Sequence, residues 1–125
     1  MNYQAAAASY SQVKTHSGVE DASPHQLICM LFDGALERVA QARGAMVHGN
    51  AELKGKKINS AINIVNGLRE NLNHEPSEDL SANLDNLYEY ITRVLTQSHI
   101  KNDVKLLDEA TTLLTDISSA WRQIA

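Results

Sequence analysis

Histidines and glutamates are the side chains in this sequence that could bind a metal ion or carry a phosphate. Di-iron sites in helical bundles need inward glutamates and Glu-x-x-His pairs, and the sequence contains no such pair. Glu70 and His74 stand four residues apart near a predicted helix end, where we expect both to be solvated. A phosphate relay needs a histidine on a helix face with a lysine one turn on, whereas His99 and Lys101 fall in a predicted loop. His25, followed by glutamine and leucine, fits no better.

Carboxylates and the single cysteine give no stronger indication of catalysis. General acid–base chemistry needs two titratable groups in one cleft, and the carboxylates are scattered over predicted polar faces. They include Glu37, Glu52, Glu89, Asp108 and Asp116. Cys29 is alone, so the chain has no disulfide framework and no thiolate metal site. We therefore expect no enzyme activity, no metal and no cofactor, with a histidine-phosphotransfer or metal-binding four-helix bundle as the alternative.

The most unusual feature is an apolar block just past a proline, in the stretch ASPHQLICMLFDGA from Ala22 to Ala35. The six residues from Leu27 to Phe32 are all apolar, and together they cover every direction around a helix. A helix of this kind needs a cover on each side. The cover is either the N-terminal arm, with Tyr3, Tyr10 and Val13 as candidate anchors, or a segment of another protein.

Apolar spacing predicts four helices to position these residues, at approximately 24–47, 52–72, 79–98 and 103–124. Ser23, Pro24 and Gln26 form the pattern of a capping box with proline at the first helical position, and Asp103 is a candidate cap for the fourth helix. Short connections favour antiparallel neighbours. We therefore predict an all-α, antiparallel up-down-up-down four-helix bundle over residues 23–125, with a flexible N-terminal arm at residues 1–22.

Composition restricts the class of partner. A chain of 125 residues with 43% hydrophobic content is long enough for one domain with a real core. A net charge of −4, with no basic helix face, argues against nucleic acid. No apolar run reaches the roughly 18 to 20 residues that span a bilayer, and the N-terminus has no signal-peptide pattern. We expect a cytoplasmic protein with no membrane insertion.

The fourth predicted helix has a wider apolar face than one packing seam needs. A second apolar line contains Leu106 and Leu113, which stand seven residues apart beside the main seam. These two residues are therefore candidates for a partner-binding surface.

Several ordered motifs resemble the flagellin-specific export chaperone of bacterial flagella, the FliS family. They are ASPHQLICMLFDGA at 22–35, AINI at 61–64, NLDNLYEYITRVL at 83–95 and LLTDISSAWRQI at 113–124, and YSQV at 10–13 resembles that family's N-terminal tyrosine motif. The resemblance implies a four-helix bundle that binds the disordered C-terminal segment of flagellin in the cytoplasm. It also implies that the bundle prevents premature polymerisation and delivers flagellin to the flagellar type III export gate.

The resemblance also suggests site residues. It makes Tyr10, in the arm that also holds Val13, the candidate for arm and export-gate contacts, and it makes Ile28, Leu31 and Phe32 candidates for the nearby apolar surface. The segment at 73–77, NHEPS, departs from the acidic residue and Gly-Gly turn usual in the family. The turn before the third helix is therefore expected to differ locally.

Overall fold

The computed structural model describes residues 22–72 and 78–124. Those residues form four α-helices: α1 at Pro24–Val47, α2 at Ala51–Glu70, α3 at Glu78–Lys101 and α4 at Val104–Arg122. The described part of the chain contains no strand. The predicted all-α class is confirmed.

The first turn of α1 has the capping box that the sequence predicts. The Ser23 hydroxyl accepts a hydrogen bond from the backbone N–H of Gln26 at 3.1 Å, and the Gln26 amide oxygen accepts from the backbone N–H of Ser23 at 2.8 Å. Pro24 lacks an N–H that the helix could not have used there. At the other end, Gly49 turns the chain with φ 76°, a conformation that glycine adopts at no steric cost.

The predicted limits of the two middle helices need small corrections. α2 begins at Ala51, because the side chain of Asn50 caps it by accepting from the N–H of Leu53 at 3.1 Å. It ends at Glu70, two residues earlier than predicted.

α3 continues to Lys101, so His99 lies in a helix and not in the predicted loop. The extension is stabilised across the bundle, because the Lys54 ammonium donates to the His99 carbonyl at 3.3 Å and to the Asn102 side chain at 2.9 Å. Asn102 then takes a left-handed φ of 52°, and Asp103 caps α4 as predicted.

The helices form a ring in which each packs against the next and α4 packs back against α1. Two bidentate ion pairs link neighbouring antiparallel helices. Arg43 and Asp108 join α1 to α4 at 2.7 Å, and Arg69 and Asp85 join α2 to α3 at 2.8 Å. Hydrogen bonds from the arginines lower the pKa of both carboxyl groups. The two ion pairs therefore stabilise the fold at pH values above the ordinary carboxyl pKa. This stabilisation is lost as the pH falls through the lowered pKa values of the folded protein.

Large apolar side chains from all four helices fill the centre of the bundle. Those that are essentially inaccessible to solvent include Leu31, Phe32, Ile64, Ile91, Leu107 and Leu114. These buried side chains belong to one continuous cluster. The four helices thus form one hydrophobic core.

Candidate functional site

A cavity of about 160 Å³ lies at the end of the bundle where α1 and α3 begin and α2 and α4 end. We call it the end cavity. All four helices line it, with Ile28 and Phe32 from α1, Leu68 from α2, Leu84 from α3, and Ile117 and Trp121 from α4 among its walls. Side chains do not fill the space between the helix ends there.

Exposed apolar side chains surround the mouth of the end cavity. Leu80 is 49% exposed and Ile124 is 67% exposed, and both line it. None of the described residues in its lining is charged. Burial raises the pKa of Tyr88, another wall residue, far above its usual value, so its phenol stays neutral. The site is suited to apolar side chains and poorly suited to ions.

One wall of the end cavity is fixed by a reciprocal contact between His25 and Trp121. Their rings stack with centroids 5.0 Å apart at an interplanar angle of 12°. His25 Nε2 lies 2.9 Å from the Trp121 carbonyl, and Trp121 Nε1 donates to the His25 carbonyl at 3.2 Å. Because Nε2 donates to that carbonyl, Nδ1 of a neutral ring faces the Cys29 thiol as an acceptor, with Sγ 3.8 Å away. His25 thus has a structural role here.

A second link lies beside the first. Asp33, whose partner the sequence does not identify, accepts a hydrogen bond from Arg122 Nη2 at 2.6 Å. Together with the His25–Trp121 contact, this pair holds the last turn of α4 against the first turns of α1. The wall is therefore formed before any partner arrives.

Asn71, just past the end of α2, is the one amide in the lining. Its side chain Nδ2 donates to the Gly67 carbonyl at 2.8 Å. Its Oδ1 is buried and has no hydrogen-bond partner among the residues that the structure describes. The lining of the end cavity is therefore mostly apolar, and its polar side-chain groups belong to Asn71, Tyr88 and Trp121.

The residues predicted from the apolar block of α1 lie mostly in the core. Leu31 is 0% exposed, Phe32 is 1% exposed and Ile28 is 6% exposed. Ile28 and Phe32 reach the end cavity as wall residues, whereas Leu31 does not line it. Burial thus explains most of the apolar block, and a direct partner contact for these residues stays a prediction.

The other predicted site residues are not brought to the end cavity. Leu106 and Leu113 are partly buried and pack against the core. Leu106 also lines a shallow groove between α3 and α4, together with Tyr90. Tyr10 and Val13 lie outside the described residues. Their proposed roles stay predictions.

Sequence reasoning missed the end cavity, although it found most of its walls as core positions. Ile117 and Trp121 stand four residues apart, the spacing of a packing seam on α4, and no local pattern marks Asn71. The sequence feature that could have indicated the cavity is the number of large apolar residues near helix ends that meet in an antiparallel bundle. Periodicity reports which face of a helix is apolar, but not where the helices separate.

The opposite end of the bundle offers a useful contrast. Val47 is 61% exposed and Ile100 is 68% exposed there. The depression beside Val47 is lined by Lys101, Asp103 and Lys105, so charged side chains interrupt the apolar surface. The two ends expose similar apolar residues, but only the end cavity combines them with an uncharged interior.

Two further properties concern residues 22–72 and 78–124 as a whole. Their His, Cys, Asp and Glu side chains form no group of three or more that could hold a metal ion. None of the helices in these ranges has both the length and the apolar character needed to cross a membrane.

Comparisons of the chain with a family model and with individual proteins agree on one family. Residues 6–125 match the family model described as flagellar protein FliS. The chain is 47% identical over 116 residues to the flagellar secretion chaperone FliSB of Pseudomonas aeruginosa, covering 93% of this chain and 92% of that protein. The chain belongs to the FliS family.

More distant members of the FliS family match over nearly the same span. The flagellar secretion chaperone FliS of Salmonella typhimurium is 43% identical over 117 residues, covering 93% of this chain and 87% of that protein. That of Bacillus subtilis is 35% identical over 107 residues, covering 86% and 79% respectively. The match includes all four helices, and membership in the FliS family indicates a chaperone role in flagellar secretion.

Proposed function

We propose that this chain is a cytoplasmic export chaperone that binds the disordered C-terminal segment of flagellin. By covering that segment it prevents premature polymerisation, and it delivers the subunit to the flagellar type III export gate. The observation that carries the proposal is the end cavity, an uncharged apolar site with exposed Leu80 and Ile124 at its mouth. The family match supports the flagellar setting.

The physical reason lies in the chemistry of the partner. The C-terminal segment of flagellin is amphipathic and pairs with other subunits in the filament, so a chaperone that buries its apolar side competes directly with polymerisation. An aliphatic side chain that moves from water into the end cavity contributes about 1.5 to 3 kcal/mol. Ordering the segment costs about 2 to 5 kcal/mol or more. Several anchors along the bundle are therefore needed, and we propose the end cavity, whose described lining carries no charged residue, as one of them.

The preformed wall of the end cavity supports this use. The His25–Trp121 stack and the Asp33–Arg122 pair join the end of α4 to α1 beside the end cavity, and Trp121 is itself a wall residue. A rigid receptor leaves the ordering cost to the partner alone.

The test is co-purification of the chain with flagellin and with flagellin that lacks its last 40 or so residues, about the length that an interface on a bundle of this size covers. We expect full-length flagellin to co-purify and the truncated form to be lost, because the truncation removes the segment that fills the end cavity. A truncation of the same length at the flagellin N-terminus serves as the control. Equal recovery of the full-length and C-terminally truncated forms contradicts the proposal.

A further inference from the structure

The seam between α3 and α4 carries apolar side chains that extend beyond the end cavity. Leu84 and Ile117 line the cavity and are half-buried, and Leu87 and Leu113 are likewise half-buried against the core. Leu87 follows Leu84 by three residues, and Leu113 precedes Ile117 by four. Each therefore lies one turn further from the cavity on the same side of its helix. Apolar surface that is still partly exposed continues along the seam.

A hydrogen bond between the two helices shows which residues lie opposite each other. The Tyr90 hydroxyl on α3 donates to the Glu109 carboxylate on α4. Because the helices are antiparallel, counting back from Tyr90 corresponds to counting forward from Glu109. Leu87 therefore lies at the level of Leu113, one turn from this bond.

We call five of these side chains the α3–α4 strip: Leu84, Leu87, Leu113, Ile117 and Ala120. The three on α4 have the spacing i, i+4 and i+7, which places them on one side of that helix. From Leu113 to Ala120 the strip is about 10 Å long, at roughly 1.5 Å per residue. It presents two rows of apolar side chains, one from each helix.

The Tyr90–Glu109 bond marks the far limit of the strip. Beyond it, a groove of about 520 Å³ between α3 and α4 has mostly polar or charged walls, among them Arg93, Gln97 and Lys101. The Arg93 guanidinium lies 5.5 Å from the centroid of the Tyr90 ring, so a cation stands at the boundary itself. The apolar character of the seam therefore falls at this bond.

The occupant of the strip follows from its continuity with the end cavity. Leu84, Ile117 and Ala120 belong to both, so a chain that fills the cavity and leaves it along this seam crosses the strip. The spacing favours a helix. Side chains on one side of a helix recur about every 5.4 Å, the same rise as the turns of α3 and α4, whereas those of a strand recur about every 6.6 Å.

We infer that the flagellin C-terminal segment forms an amphipathic helix of about two turns on the α3–α4 strip. This helix continues from the end cavity and ends at the Tyr90–Glu109 bond, and its apolar side faces the two rows of the strip. The inference rests on the proposed function and specifies the path and the conformation of the partner.

Site-specific crosslinking tests the path. A photo-crosslinking amino acid replaces Asn86 or Gln97 in the full chain, which is irradiated with a synthetic peptide of the flagellin C-terminal segment. Both are exposed residues of α3, and their spacing of eleven puts them on the same side of that helix, about 16 Å apart. Asn86 precedes the Tyr90–Glu109 bond, and Gln97 lines the polar groove beyond it. We expect a several-fold higher yield from position 86.

An alanine scan of the same peptide tests the conformation. We expect the apolar positions at which alanine weakens binding about tenfold or more to recur every three or four residues, as on one side of a helix. In the chain, Leu113→Gln is expected to weaken binding about tenfold, the loss of one apolar anchor. Ile62→Gln is the matched control, because Ile62 is also half-buried but lines the groove between α2 and α3. Thermal unfolding verifies that both variants are folded.

The outcomes separate the inference from the proposed function. If the unaltered chain binds the peptide but position 86 gives no crosslink, or the same yield as position 97, the inference fails and the proposed function stands. Losses at every second peptide residue would mean an extended segment and would also overturn it. So would a crosslink from position 86 to residues 1–21 or to a second copy that excess peptide does not displace. If the unaltered chain does not bind the peptide, both fail.

Discussion

Phe32→Ala is expected to lower the free energy of unfolding by about 3 to 5 kcal/mol, because it leaves a ring-sized void in a close-packed core. Phe32 is 1% exposed, and its ring lies 6.4 Å from that of Tyr88 across the bundle. It joins the core to the end cavity, so the enlarged void collapses only in part. Urea unfolding followed by circular dichroism measures the change.

Val47→Ala on the same helix is the control for Phe32→Ala. Val47 is 61% exposed, so its truncation is expected to change the free energy of unfolding by less than about 0.5 kcal/mol. A loss below about 1 kcal/mol for Phe32→Ala contradicts the assignment of Phe32 to the core. It would support the alternative in which Phe32 serves mainly as exposed binding surface.

Ala120→Phe is expected to weaken binding of the flagellin C-terminal segment by about 10- to 150-fold, with little change in stability. Ala120 lines the end cavity and is exposed, so a phenylalanine there fills the mouth without compressing the core. The partner then loses one apolar anchor worth about 1.5 to 3 kcal/mol, which corresponds to that range of affinity. Fluorescence anisotropy with a labelled peptide measures the affinity.

Ser119→Phe is the matched control for Ala120→Phe. Ser119 is the preceding residue of α4, is exposed, and does not line the end cavity. The same bulk is therefore added to the same helix in another direction, and the affinity is expected to change less than threefold. Similar losses for both variants would mean that bulk anywhere on α4 interferes, and would remove the end cavity from the account.

Much of the fold could be predicted from local chemistry. Ser23 and Gln26 cap α1 as predicted, and Asp103 caps α4, because capping depends on residues within one turn of each other. The antiparallel order followed from short connections. The predicted end of α3 was wrong by three residues. The contact that stabilises the true end, from Lys54 to the His99 carbonyl, joins residues 45 positions apart and leaves no local pattern.

The site was less predictable than the fold. The apolar block from Leu27 to Phe32 suggested a surface that needed a cover, and the structure shows that most of that cover is the bundle's own core. The end cavity arises where four helix ends separate, and the unpaired acceptor of Asn71 arises from which atom its partner Gly67 leaves free. The end cavity is a property of the assembled bundle and has no local sequence pattern, whereas the Asn71 contact joins residues only four positions apart.

The histidine chemistry considered from sequence also changes with the structure. His25 stacks on Trp121 and contacts the Trp121 carbonyl. Its role in the described residues is to hold α4 against α1 at the wall of the end cavity. Histidine phosphotransfer gains no support from this position, because both ring nitrogens already face protein atoms.

The most direct test of the central claim is site-specific crosslinking to the flagellin C-terminal segment. A photo-crosslinking amino acid replaces Ile124 at the mouth of the end cavity or Ile100 at the opposite end, two isoleucines that are 67% and 68% exposed. Because exposure is matched, the crosslinking yield reports where the segment lies. We predict a strong crosslink from position 124 and little or none from position 100. Equal yields at the two positions, or a crosslink from position 100 alone, would contradict the account.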